Sequence, residues 1–365
     1  MDGRSTSVSR NLHDDLLAII NEAIAERSFP GAVVWLAHSG GVIHEAFGTT
    51  AYDDALSRPV AHDTVYDIAS LTKLFTATAF LIAARRTKTD VDTPLARFLP
   101  PFDADDKRDI TLRQLLNHTN GIGLHIQALI DVPPDEWVAR LAAARLRSAP
   151  GSEAYYTCTS HFLLGRVVEI LCGHALDRVI EEQVLQPLEL ESTSFRPREC
   201  YALERIAPTE VSVVTGRPWH GIVHDEAARA WSEKTGTACG NAGLFSTAGD
   251  LARFARLWLD EGACGGRRIL HPEDVRRALT DTVPEDNIRR GWCWQIDAPS
   301  FMSEAAPAGS VGHTGFTGPT LCLSPSTRHI AIIVENRVHP TRHGPNRMIY
   351  HRRIAQWLFE LRNAD

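Results

Sequence analysis

Short runs of apolar, β-favouring residues bounded by polar or turn residues cluster near the two ends of the chain, where they predict β-strands. Two β-rich runs at 32–37 and 42–48 flank a Ser-Gly-Gly turn, which is typical of a β-hairpin. Three further runs predict strands near the C-terminus, at 313–315, 320–323 and 329–334.

Apolar residues at helical spacing predict one helix beside each set of strands, over 12–27 and 347–361. Between them, the run at 74–84 is apolar almost all round, which indicates a helix buried at the centre of a domain. The other helices predicted for the middle of the chain lie at 110–116, with Thr111 as N-cap, and at 134–146, 161–171 and 248–259. The stretch 192–229 mixes prolines, charges and short β-like pieces and predicts no regular element, and 297–309 is predicted as a loop.

This order of elements predicts an α+β fold in one catalytic unit over 1–365. Strands from both chain ends join most economically into one antiparallel sheet, flanked by the first and last helices. That sheet and its helices form a discontinuous α/β lobe from 12–68 and 290–362, and 69–289 forms a mostly helical lobe. A cleft between two such lobes is the natural place for a ligand.

Composition and charge narrow the range of functions. The 365 residues are 44% hydrophobic and 23% charged, with a formal net charge of −7 and no block of Lys or Arg, so nucleic acid is not an expected partner. The longest apolar run, 74–84, is too short to span a bilayer, so no membrane association is expected. Seven scattered cysteines and an N-terminus without an apolar core favour reduced thiols in a cytoplasmic protein.

The candidate chemistry begins at Ser70 and Lys73, which open the buried helical run. Residues three apart lie on the same face of a helix, so the hydroxyl and the amine can touch. Amides in a first helical turn lack an internal partner, so the Ser70 N–H stays free. A serine, a nearby basic nitrogen and a free N–H are three parts of an acyl-transfer site. Ser-x-x-Lys alone also fits an N-cap serine with a surface lysine.

Two further motifs follow in order, at 150–165 and 312–318. Together with Ser70-x-x-Lys73 they resemble the serine β-lactamase and penicillin-binding-protein superfamily, on the class C-like side that also holds esterases, D-aminopeptidases and acyltransferases. The resemblance covers roughly residues 12 to 360. Three ordered motifs at compatible spacing are far more specific than any one of them.

The resemblance implies a role for each matched residue. Ser70 is the nucleophile that becomes acylated, and Lys73 is the proton acceptor or the cation that lowers a neighbour's pKa. Tyr156 matches the tyrosine that acts as general base, with Tyr155 as the adjacent candidate. The backbone N–H groups of Ser70 and of Phe316 form the oxyanion hole. Substrate-binding residues are implied at Cys158, His313, Thr314, Gly315 and Phe316.

Two positions depart from the usual family pattern. Cys158 stands where the family usually has asparagine, and a thiol is a poor hydrogen-bond partner, so it is either a small packing residue or a second nucleophile. His313 stands where β-lactamases usually have lysine. A histidine is mostly uncharged near neutral pH, so it anchors a substrate carboxylate less firmly than lysine, or it only packs in its strand.

No metal and no cofactor is predicted. His224-Asp225-Glu226 and His339-x-x-x-His343 lack a full ligand set at helical spacing, and sixteen histidines produce chance pairs. Trp292 and Trp294 are predicted to pack the core or to wall the cleft.

The predicted function is a serine-dependent acyl hydrolase, esterase- or amidase-like, that forms a Ser70 acyl-enzyme with a small-molecule ester or amide. One alternative is a transacylase that passes the acyl group to an amine or alcohol in a biosynthetic pathway. Another is a non-catalytic ligand sensor on the same scaffold. Substrate choice is predicted to lie in 173–236 and in the loop at 297–309.

Overall fold

The computed structural model describes residues 5–52, 55–104, 106–283 and 288–361, with side chains from residue 14 onward. The helices are α1 Ser5–Ala25, α2 Thr72–Thr87, α3 Leu112–Leu116, α4 Trp137–Ala143, α5 Cys158–Cys172, α6 Leu176–Ile180, α7 Pro197–Cys200, α8 Glu226–Thr235, α9 Ala248–Leu259, α10 Pro272–Ala278, α11 Pro299–Met302 and α12 Met348–Glu360. The strands are β1 Gly31–His38, β2 Gly41–Gly48, β3 Tyr66–Asp67, β4 Phe245–Ser246, β5 Ala263–Cys264, β6 Arg267–Arg268, β7 Gln295–Ile296, β8 Val311–Thr314, β9 Thr320–Leu323 and β10 Ile330–Glu335.

One antiparallel sheet joins the two ends of the chain. Its strand order is β2-β1-β10-β9-β8-β7, and β1 pairs with β10 in a register that sets Val34 opposite Ile333. The predicted sheet from both chain ends and the predicted α+β class are therefore confirmed. Two-stranded pairs, β3 with β4 and β5 with β6, lie outside this sheet.

Both faces of the sheet are buried, because helices cover each side. Successive strand residues point to opposite faces, so Val34 packs in the cluster with α1 and α12, while Val33 and Trp35 pack in the larger core. Helix α9 packs against β1, β9 and β10 on that second face. Helix α9 lies within 69–289, which the sequence predicted as the helical lobe, but it covers one face of the sheet.

The helical region is built around α2. Most of its residues are buried, including Phe75 and Phe80, and its main neighbour is α5. The all-round apolar pattern at 74–84 therefore predicted this central helix correctly. Thr111 caps α3 as predicted, in a capping box in which its Oγ1 accepts from the Gln114 N–H while Gln114 Oε1 accepts from the Thr111 N–H.

Several element boundaries differ from the sequence predictions. The predicted helix at 134–146 splits into a 3-10 turn, Pro134–Glu136, and the shorter α4, because a proline at the start favours a tight first turn. The predicted loop at 297–309 contains the short helix α11. Among the described helices, none is both long and apolar enough to cross a bilayer.

Candidate active site

Ser70 lies on a tight turn between β3 and α2. The turn is a single 3-10 element, Ala69–Leu71, so Ser70 sits just before the first residue of α2 and not inside it as the sequence predicted. Ala69 adopts a positive φ of 44°, an uncommon and strained conformation for a residue with a side chain. The Asp67 carboxylate accepts a hydrogen bond from the Ala69 N–H at 2.8 Å and helps to hold this conformation.

Lys73 reaches back to the nucleophile from the first turn of α2. Its Nζ donates to Ser70 Oγ at 2.7 Å and to the backbone carbonyl of Asn241 at 3.0 Å, and it lies 3.8 Å from Cys158 Sγ. Lys73 is fully buried. The sequence did not predict the contact with the Asn241 carbonyl, since every residue type has a main-chain carbonyl.

Tyr156 completes the group, from the segment that leads into α5. Its ring centroid lies 5.0 Å from Lys73 Nζ. Burial raises the pKa of the Tyr156 phenol, while the charge of Lys73 and hydrogen bonds with Lys73 and Ser70 act in the opposite direction. Tyr155 points elsewhere, because its hydroxyl pairs with His125 Nε2 at 3.0 Å. The geometry therefore brings Tyr156, and not Tyr155, to Ser70 and Lys73.

The resting protonation of the pair follows from these contacts. Burial alone would lower the pKa of Lys73, but its electrostatic interactions with Cys158, Tyr156 and Asp225 raise it more strongly, and the net shift is upward. With both pKa values raised, the resting site holds a protonated Lys73 beside a neutral Tyr156 phenol.

Two backbone amides near the nucleophile are free to bind an oxyanion. Within the described chain, neither the Ser70 N–H nor the Phe316 N–H donates to a protein acceptor. The end of β8 comes close to the Ser70 turn at Gly315, where a Cβ would lie 2.6 Å from the Ile68 carbonyl oxygen. This close approach explains why the position before Phe316 is a glycine.

Gly315→Ala is expected to lower the acylation rate by about 10²–10³-fold, the usual cost of losing one oxyanion donor. The added methyl group meets backbone at Ile68, so β8 must shift and carry the Phe316 N–H with it. The measurement is the acylation rate constant with an activated ester. Gly249→Ala is the matched control, because its Cβ would meet nothing closer than 4.0 Å. Equal rates in the two variants would contradict this role of Gly315.

His313 lies behind Tyr156, with the two ring centroids 5.9 Å apart. It is 1% exposed, and burial with the nearby charges of Lys73 and Arg290 lowers its pKa to about 3. Its Nδ1 lies 2.9 Å from the Thr314 carbonyl, and because a carbonyl only accepts, Nδ1 carries the proton and Nε2 is left as an acceptor. His313 is therefore neutral at physiological pH and supplies no positive charge.

A cavity of about 260 Å³ opens beside the nucleophile. It is lined by Ala69, Ser70, Gln127, Tyr156, Cys158, His224, Asp225, Glu226, Ala242, Phe316 and Arg342. Of the residues that the sequence predicted, it brings Ser70, Tyr156, Cys158 and Phe316 to one surface, with Lys73 directly beneath. The acidic residues and Gln127 were not predicted for this site, since they come from distant and irregular segments.

Asp67 ties the nucleophile turn to the opposite wall of the cavity. Its carboxylate also accepts from the His224 N–H at 2.8 Å, and Asp67 is 2% exposed. Burial raises the pKa of Asp67 to about 7, against the effect of the two N–H donors. The sequence offered one clue to this role, an aspartate three residues before the nucleophile.

Asp67→Asn is expected to flatten the pH dependence of stability between pH 4 and 7. In this range folded Asp67 holds its proton and the unfolded chain has lost it, so its contribution to the free energy of unfolding falls as pH rises, by at most about 1.4 kcal/mol per pH unit. Denaturant titrations at several pH values measure the slope. The exposed Asp135→Asn is the control, and equal slopes for Asp67→Asn and wild type would contradict the assignment.

The histidines of the two sequence patterns that suggested a metal site form other contacts. His224 Nε2 pairs with Glu210 at 3.1 Å, and His339 Nδ1 contacts the Thr209 carbonyl at 3.0 Å. Among the described residues, no group of three or more His, Cys, Asp or Glu side chains is placed to hold a metal ion.

Comparison with known proteins extends over nearly the whole chain. The family model described as Beta-lactamase matches residues 16–356. A protein of Escherichia coli strain K12 named "Putative D-alanyl-D-alanine carboxypeptidase" is 30% identical over 309 residues, which are 76% of this chain and 70% of that protein. A protein of the same name from Escherichia coli O157:H7 is 29% identical over 353 residues, 86% of this chain and 80% of its relative.

Solved structures share the fold at lower sequence identity. "EstCE1, a hydrolase with promiscuous acyltransferase activity" superposes with a TM-score of 0.75 at 20% identity and covers 96% of this chain and 99% of that one. The "octameric penicillin-binding protein homologue from Pyrococcus abyssi" has a TM-score of 0.73 at 23% identity, over 96% and 77% of the two chains. "Simvastatin Synthase (LovD) from Aspergillus terreus" has a TM-score of 0.73 at 19% identity, over 95% and 97%. The predicted β-lactamase-like fold is thus confirmed.

Proposed function

The chain belongs to the beta-lactamase family and is an enzyme of its serine hydrolase and acyltransferase group, and from that premise we propose that it cleaves a small-molecule ester or amide through a Ser70 acyl-enzyme. The observation that carries the proposal is the 2.7 Å contact between Lys73 Nζ and Ser70 Oγ, with Tyr156 beside both. A serine hydroxyl becomes an effective nucleophile only when a neighbouring base takes its proton, and this pair is the base within reach.

The reaction then runs in two halves. Ser70 Oγ attacks the substrate carbonyl carbon while its proton passes to the Tyr156–Lys73 pair, and the Ser70 and Phe316 N–H groups bind the oxyanion that forms. The tetrahedral intermediate collapses, the bond to the leaving group breaks, and the leaving group takes the proton from the pair. In the second half, water attacks the acyl-enzyme and the same groups move the proton in reverse. Attack by an amine or alcohol in place of water gives the transacylase alternative.

The partners proposed are a small-molecule acyl donor and, for transfer, an amine or alcohol acceptor. Among the relatives, the printed name "D-alanyl-D-alanine carboxypeptidase" describes cleavage of a peptide, and that of EstCE1 describes hydrolysis with acyl transfer. Both outcomes pass through one acyl-enzyme, so the nature of the acceptor separates them. All seven cysteines are free thiols, which supports the proposal of a cytoplasmic location.

Intact-protein mass after brief exposure to p-nitrophenyl acetate, and separately to a β-lactam, tests the proposed function. We expect the mass of one acyl group per chain with the ester, located by digestion on the peptide that contains Ser70. Amines and alcohols are then added to find which of them discharge the adduct faster than water does. A folded protein that gains no adduct, or gains it only on other residues, would overturn the proposal.

The acylation rate is expected to rise with pH through and above neutrality. At rest Lys73 is protonated and the Tyr156 phenol is neutral, because the pKa values of both groups are raised. The pair must therefore lose one proton before it can act as a base. Loss of that proton creates the active form, so the rate increases about tenfold per pH unit below the apparent pKa of the coupled pair. Stopped-flow acylation between pH 6 and 10 measures the profile, and a rate that is flat or falls over this range would contradict it.

A further inference from the structure

One part of the cavity lining carries hydrogen-bond acceptors, the Asp225 carboxylate and the Gln127 side-chain oxygen. We propose that the acyl group taken by this enzyme carries a protonated amine, which Asp225 binds, and that acyl groups with a carboxylate at the same place are rejected. This inference rests on the proposed function and names its substrate class. It separates this chain from an enzyme that acts on a peptide with a free carboxylate beside the cleaved bond.

Asp225 is the acidic group that this inference assigns to the amine. It lines the cavity with Ser70 and caps α8, where its Oδ1 accepts from the Ala228 N–H at 2.8 Å. Amide groups of Gln127 and Asn241 donate to its two oxygens, each at 3.3 Å. In the described part of the chain, no Lys, Arg or His nitrogen lies within 4 Å of this carboxylate, so it forms no direct ion pair, and Lys73 acts on it only from a longer distance.

Two more acceptors beside Asp225 point to a ligand with several donors. Oε1 of Gln127, a lining residue, is buried without a hydrogen-bond partner among the described residues. The same holds for Oδ1 of Asn241, a fully buried residue whose amide group contacts Asp225. A buried acceptor without a partner costs free energy, and an ammonium group has three N–H donors to offer. Carboxylate and amide oxygens together therefore match the chemistry of a bound amine.

The one Lys or Arg that lines the cavity is already paired. Arg342, the one Lys or Arg among the lining residues, is neutralised by two carboxylates, with its Nη2 2.5 Å from Glu210 Oε2 and 2.5 Å from Glu226 Oε1. With Asp225 added, the lining residues carry three charges, two negative and one positive. A substrate carboxylate placed beside Asp225 would be repelled by it, at an energetic cost that grows as water is excluded.

The other cations near the cavity do not line it. Arg290 packs with its guanidinium 5.2 Å from the Tyr156 ring centroid, outside the lining. Lys73 lies beneath the cavity floor, where it serves Ser70 and the Asn241 carbonyl. His313 is neutral and presents an acceptor nitrogen, as its contact with the Thr314 carbonyl requires. This chain lacks the lysine that β-lactamases usually have at this position. The Asp225 carboxylate in the cavity lining favours a positively charged group over a carboxylate.

The distance from nucleophile to amine site is bridged by a short chain of contacts. Ser70 Oγ contacts Lys73 Nζ, which contacts the Asn241 carbonyl, and the side-chain amide of Asn241 contacts Asp225. The cavity of about 260 Å³ is small, so it suits an acyl group of a few heavy atoms. Because Ser70 and Asp225 line this same small cavity, the proposed amine lies a few bonds from the reacting carbonyl.

Three phenyl esters of similar acyl length test the inference: 3-aminopropanoyl, butanoyl and 3-carboxypropanoyl. We measure kcat/KM for each and confirm the Ser70 adduct by mass. The expected order is amine over neutral by about tenfold or more, and neutral over carboxylate by a similar factor, since each 1.4 kcal/mol is tenfold. If no ester acylates Ser70, the proposed function fails and this inference with it. If Ser70 is acylated but the carboxylate ester is equal or faster, this inference alone is overturned.

The variant Asp225→Asn tests whether the Asp225 carboxylate causes the preference for an acyl group with an amine. Asparagine is an equally good N-cap, so α8 keeps its start while the charge is removed. The ratio of kcat/KM for the amine ester to that for the neutral ester is expected to fall about tenfold. Glu233→Gln is the matched control, because it removes one carboxylate from an exposed position of the same helix. A ratio that stays unchanged in Asp225→Asn, or that falls equally in Glu233→Gln, overturns the assignment.

Discussion

Ser70→Ala is expected to remove the acyl adduct completely and to lower turnover of an activated ester by roughly 10⁶-fold, the size seen when a serine enzyme loses its nucleophile. Ser70 Oγ is the atom that Lys73 Nζ contacts at 2.7 Å, and the cavity opens directly onto this residue. Alanine keeps the turn, because the hydroxyl takes no part in the backbone contacts that hold Ala69 and Leu71. Steady-state turnover and intact mass, with the background rate in buffer subtracted, measure the effect.

The contradicting result is specific. A Ser70→Ala protein that still forms a stoichiometric adduct would transfer the role of nucleophile to another group, and Cys158 is the first to examine, because it lines the same cavity. Cys158→Ala distinguishes a packing role from a nucleophilic one. If Cys158 only packs, Cys158→Ala still forms the adduct on Ser70. If Cys158 is a nucleophile, adding Cys158→Ala to Ser70→Ala removes the adduct.

Tyr156→Phe is expected to slow acylation by about 10²–10⁴-fold, the usual contribution of a positioned general base. The change removes the hydroxyl but keeps the ring, which packs against His118 at 4.7 Å and under the Arg290 guanidinium at 5.2 Å between centres. The loss should therefore fall on the acylation rate constant and not on stability. Single-turnover kinetics with an activated ester, together with thermal unfolding, measure both quantities.

Tyr155→Phe is the matched control for this variant. It removes a hydroxyl from the neighbouring residue, where the structure shows a pairing with His125 Nε2 and an Arg147 guanidinium 4.1 Å from the ring centroid. We expect an acylation rate within a factor of about three of wild type, because this hydroxyl points away from Ser70. If Tyr155→Phe is the slower variant, the general base has been assigned to the wrong tyrosine.

Local patterns predicted much of the architecture because they act over short distances in the chain. Short β-rich apolar runs identified β1, β2, β9 and β10, and the all-round apolar run identified α2. Boundaries were less exact where turns compete with helices. Ser70 was predicted inside a helical turn, yet the structure places it on a 3-10 turn, because the Asp67 carboxylate stabilises a positive φ at Ala69. Sequence periodicity carries no information about such a side-chain contact.

By itself, the sequence determined the candidate chemistry of this protein, because nucleophile, lysine and tyrosine lie in motifs whose spacing is local. The tertiary structure alone decided between Tyr155 and Tyr156, since adjacent residues differ only in the direction that packing gives them. It also revealed the acceptor wall of Gln127 and Asp225, two residues brought within 3.3 Å of each other from 98 positions apart. The sequence gives the identity of a charged residue, but the tertiary structure decides which groups surround it.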